Sequence, residues 1–69
     1  LHKEVLVMAA AGRIRVTLDI VADDDDPHAL LAAHDGDGAA LAQVRVAASF
    51  RLNLASARAW IDDGYRRPA

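Results

Sequence analysis

Arg13-Ile14-Arg15-Val16-Thr17-Leu18-Asp19-Ile20 alternates polar and apolar side chains without a break. Successive side chains of a strand point to opposite faces, so Ile14, Val16, Leu18 and Ile20 line one face and Arg13, Arg15, Thr17 and Asp19 the other. The period of two predicts a half-buried strand and puts a sheet at the centre of the fold. Downstream, Val44, Val46, Ala48, Phe50, Leu52 and Leu54 alternate with Arg45, Ala47, Ser49, Arg51 and Asn53, which predicts a second such strand. Upstream, Val5 to Ala10 is apolar at every position. That pattern fits a strand covered on both faces or a short buried helix, and the tight-turn signal of Ala11-Gly12 favours the strand.

Two helices complete the expected order. Asp26-Pro27 offers an N-cap and a first-turn proline, Ala29 to Ala33 are compatible with a helix of about two turns, and Gly36 ends the segment. Ser56 caps a C-terminal helix running through Asp63, with Trp60 and Ile61 on its apolar side and Gly64 as its stop. The expectation is one small α+β domain over residues 1–69. It has a three-stranded, largely antiparallel sheet in the order strand, strand, helix, strand, helix, with Val5 to Ala10 in the middle and the helices on one face. The tail 65–69 is expected to fray.

Composition narrows the function classes. Of the 69 residues, 54% are hydrophobic, but 16 of these are alanine, which removes little apolar surface from water. A domain of this length buries only about 60% of the surface its unfolded chain exposes, so the core is thin and oligomerisation is the leading reinforcement in a chain without cysteine. The formal net charge of −2 hides a polarised arrangement. Seven of the ten acids lie between Asp19 and Asp37, no lysine or arginine occurs from Val16 to Val44, and five of the eight basic residues follow Val44. Such polarity suits complementary pairing between chains. No apolar run approaches the 18 residues of a membrane span and no secretory leader is visible, so a cytoplasmic protein that does not cross a membrane is expected.

The inventory for catalysis is sparse. Asp23 to Asp26, His28, His34, Asp35 and Asp37 are of metal-ligating types. Their spacing matches neither two zinc ligands four apart on a helix nor a calcium loop closed by glutamate, so no metal or other cofactor is expected. Ser49 and Ser56 have no base nearby in sequence, and Glu4 and Asp19, which a hairpin brings across from one another, read as exposed acids. Gly36-Asp37-Gly38 carries acid where a phosphate needs donors. No catalytic residue is assigned, although a subunit of a larger enzyme stays open.

What remains is a binding surface. The face of the sheet away from the helices would carry Leu6 and Met8, or Val5 and Val7 in the other register, rimmed by Arg13, Arg15, Arg45 and Arg51. An apolar strip with an arginine rim fits an interface better than a solvated surface. The expected partner is a second copy or another protein chain, in a small interaction or regulatory module. The alternative is a dimeric regulator that sets the arginine face on DNA or RNA, with phosphate contacts supplying the affinity.

Overall fold

A computed structural model describes residues 1–69 and shows a four-stranded antiparallel sheet with one helix: β1 His2–Ala9, β2 Gly12–Val21, β3 His28–His34, β4 Ala40–Ala47 and α1 Leu54–Asp62. The strands run in chain order as a meander, β1-β2-β3-β4. This corrects the expected three-stranded sheet with helices over one face in two respects.

The first is the segment read as a short helix. His28 to His34 is β3, paired antiparallel with β2 from Arg15↔His34 to Val21↔His28 and with β4 from His28↔Ala47 to His34↔Ala40. Alanine and leucine have the helix propensity that suggested otherwise, but burial overrides propensity here. Ala29, Leu31 and Ala33 pack into the core from one side of β3, while Leu30 and Ala32 sit on the other. Asp23 to Asp26 therefore cap no helix and form the loop between β2 and β3.

The second is the place of Val5 to Ala10. β1 lies at the sheet edge, not in the middle. It pairs with β2 from His2↔Asp19 to Ala9↔Gly12, closing over Ala10 and Ala11, and Gly12 at φ 108° accepts the positive torsion that this turn requires. The register puts Val5 and Val7 opposite Val16 and Ile14 on the covered face, with Leu6 and Met8 opposite Arg15 and Arg13 on the other. From Val5 to Ala9 the strand is thus apolar on both sides although only one side is packed.

The alternation that began at Val44 also ends earlier than expected. β4 stops at Ala47, where Phe50 N–H donates to Ala47 O at 2.9 Å. Residues 48–53 leave the sheet but return Leu52 to the core, where it is almost fully buried. α1 begins at Leu54 with Asn53, not Ser56, as its N-cap. Ser56 is the third residue of a reciprocal capping box: its N–H donates to Asn53 Oδ1 and its Oγ accepts from Asn53 N–H, both at 2.9 Å. Gly64 at φ 70° follows the helix, and Tyr65 folds back so that its ring meets Trp60 edge to face at 5.2 Å.

The core is one cluster between the sheet and α1: Val7, Ile14, Val16, Leu18, Ala29, Leu31, Ala33, Val46, Leu52, Ala57 and Trp60. α1 packs chiefly over β1. Arg58 Nη1 donates to Met8 O at 3.2 Å and ties the helix to the edge strand. The helix is neither long nor apolar enough to cross a membrane.

Candidate interaction surface

With α1 on one side only, the opposite side of the sheet carries the even-numbered residues of β1, the odd-numbered ones of β2 and the even-numbered ones of β3. The register arranges them in rows across the strands. Leu6, Arg15, His34 and Ala40 form one row, Glu4, Thr17, Ala32 and Gln43 the next, and His2, Asp19, Leu30 and Arg45 the third. Met8 and Arg13 extend the surface at one end. Of the residues singled out from sequence, Leu6, Met8, Arg13, Arg15 and Arg45 are brought onto this one surface. Arg51 is not. It lies in the segment after β4, beside Leu1, Lys3, Ile20 and Phe50 at a cavity of about 210 Å³.

Two kinds of side chain make the surface. Leu6 and Met8 stand 53% and 63% exposed at the β1 edge, and Leu41 of β4 is 44% exposed. In the centre, Thr17 and Ala32 are only 4% and 8% exposed although no helix covers them. They are short residues flanked by longer neighbours, so the surface has a low floor with taller polar and apolar walls.

The walls hold a connected charge cluster that the sequence alone left unread. His2 Nδ1 lies 2.6 Å from Asp19 Oδ1, and His2 Nε2 lies 3.5 Å from Glu4 Oε2. Arg15 Nε approaches Glu4 Oε1 at 3.9 Å. Asp19, above all, and Glu4 as a second acceptor hold the His2 imidazolium, raising its pKa above the ordinary histidine value. Glu4 and Asp19 are not opposite one another, as the sequence suggested. Glu4 faces Thr17 and Asp19 faces His2, and the histidine bridges the two acids on the diagonal. The tight turn at Ala10 and Ala11 fixes this register, so extending it to the chain start is the signal that would have revealed His2.

The backbone of β1 is open as well. Ile20 N–H donates to Leu1 O at 3.0 Å. Antiparallel pairs alternate between bonded and unbonded, so the odd-numbered residues of β1 bond to β2 and His2, Glu4, Leu6 and Met8 turn their N–H and C=O groups outward. Arg58 occupies only the carbonyl of Met8.

The acids and histidines considered as metal ligands are not drawn together. Asp23 to Asp26 precede β3, and Asp35 and Asp37 follow it at the other end of the strand. Asp23 Oδ1 accepts from Asp25 N–H, and Asp35 Oδ1 accepts from Asp37 and Ala39 N–H, so these carboxylates serve their own turns. The largest groove, about 660 Å³, runs past Asp26, His28, Arg45, Phe50 and Arg67. Two of its basic groups are already engaged, Arg45 by the Asp26 carboxylate and the His28 ring by the Asp26 carbonyl. No protein-family model, curated protein or solved structure matches the chain.

Proposed function

We propose that this chain is a non-enzymatic module that works by binding protein through the uncovered face of its sheet, as a homo-oligomer or as a subunit of a larger assembly. One observation carries the reading: a small, cysteine-free domain leaves Leu6, Met8 and Leu41 exposed around the floor of Thr17 and Ala32 while its only helix covers the other face. A thin core gains most from burying such a surface against another chain. Nucleic acid fits the same surface less well, because Glu4 and Asp19 add negative charge to it and Arg45 already faces the Asp26 carboxylate of its own chain.

The test is native mass spectrometry of the wild type beside Met8→Asp. Met8 is exposed in the single chain, so the substitution should leave the fold stable to within about 0.5 kcal/mol. It would set a charge in the buried contact of an assembly and should shift the mass distribution to the 7.4 kDa monomer. A wild-type assembly whose mass the substitution leaves unchanged would overturn the reading.

A further inference from the structure

We infer that the partner of the uncovered face is a second copy of this chain, related by a two-fold axis that crosses the strands at Thr17 and Ala32 and sets Arg15 of each copy against Asp19 of the other. The inference rests on the protein-binding reading and adds the partner and its orientation.

The placement of charge along β2 carries it. Arg15 and Asp19 stand two residues to either side of Thr17 on the same face, each about 7 Å from it at the usual strand rise, and they are opposite in sign. A two-fold axis through Thr17, lying in the interface and perpendicular to the strand, exchanges those two positions. Each copy then presents an arginine where the other presents a carboxylate, and the contact is made twice, as a self-complementary interface requires. The other simple choice, an axis parallel to the strands between β2 and β3, sets Arg15 against His34 and His2 against Arg45, basic group against basic group. Charge complementarity thus selects one of the two.

The relief of the surface agrees. The axis passes over Thr17 and Ala32, the two most buried residues of the uncovered face, and facing sheets pack about 10 Å apart. Short residues on the axis leave space for Arg15 and Asp19 to cross from either side. Glu4, in the same row, falls near its own counterpart at the sheet edge, and Arg15 of its own chain lies 3.9 Å away to offset that approach. Strand spacing and rise give a face of roughly 500 Å² per copy, or about 1,000 Å² in total. That area is at the small end of specific interfaces, the size class of weak and transient contacts.

The experiment is a charge swap between copies. Arg15→Glu alone and Asp19→Arg alone each place like charges opposite one another twice, and each should weaken self-association at least about tenfold in sedimentation velocity. Mixed in equal amounts, the two variants should form a dimer containing one chain of each, resolved by its mass. A double variant carrying both changes in one chain should associate with itself again, which keeps the test decisive if either single variant folds poorly. If the wild type assembles and Met8→Asp dissociates it, yet neither the mixture nor the double variant recovers a dimer, the two-fold arrangement is wrong and the protein-binding reading stands. A wild type that stays monomeric across the micromolar range overturns the second copy as partner, and the protein-binding reading then requires a different chain.

Discussion

Thr17 of β2 and Ala32 of β3 are register partners on the side of the sheet that no helix covers, and both are nonetheless buried. Their burial comes from their own shortness. Side chains standing roughly perpendicular to a sheet screen a short neighbour from solvent, so a pair of small residues becomes a depression.

Raising that depression should separate association from folding. Ala32→Lys puts a long side chain on the floor whose amine can reach water in the single chain, at a cost of about 1 kcal/mol or less. Between two facing sheets the same amine would be trapped, so sedimentation velocity should show a monomer while thermal unfolding stays close to wild type. A variant that assembles as the wild type does would place the contact elsewhere.

The capping box at the start of α1 gives a stability prediction. Asn53→Ala removes the acceptor of Ser56 N–H and should cost about 1 kcal/mol, within a range of roughly 0.5–2. In a domain of this size that lowers Tm by about 4–8 °C per kcal/mol, measurable by circular dichroism. Asn53→Asp keeps an acceptor in place and should hold Tm near the wild type.

The third prediction concerns pH. His2 is held by Asp19 first and Glu4 second, which raises its pKa in the folded chain above the unfolded value. The stability it contributes is therefore fully present below about pH 6.5 and is lost as pH rises through the folded value. A nuclear magnetic resonance titration of the ring protons should place the His2 midpoint above that of a free histidine, and Asp19→Asn should move it down. A midpoint indifferent to Asp19→Asn would mean that the 2.6 Å contact does not persist in solution.

The hairpin of β1 and β2 was legible because two independent signals agreed: the period of two from Arg13 to Ile20 and the glycine at its turn. β3 was not, because His28-Ala29-Leu30-Leu31-Ala32-Ala33-His34 has no polar residue between its histidines to mark an outward face. Without alternation, propensity and the preceding Asp26-Pro27 pointed to a helix, and only pairing with strands on both sides decides for a sheet. The helix start was misplaced by the same kind of ambiguity. Asn53 and Ser56 are both good caps, and in the structure each serves the other. On the candidate surface, Arg13, Arg15 and Arg45 followed from strand parity, whereas the choice of Leu6 and Met8 over Val5 and Val7 needed the pairing of β1 with β2. Arg51 did not, because the apparent alternation ran on past the true end of β4.

The meander also sets the order in which this protein can assemble during synthesis. Each strand pairs with its chain neighbour, so every hairpin can close soon after its second strand leaves the ribosome, at about 5–20 residues per second. α1 arrives after all four strands, and its Arg58 reaches back to Met8, fifty residues earlier. Until then Val7, Ile14, Val16 and Leu31 lie bare, and the nascent sheet is sticky on both sides. A chain stalled before Leu54 should be the form that chaperones hold and proteases clear.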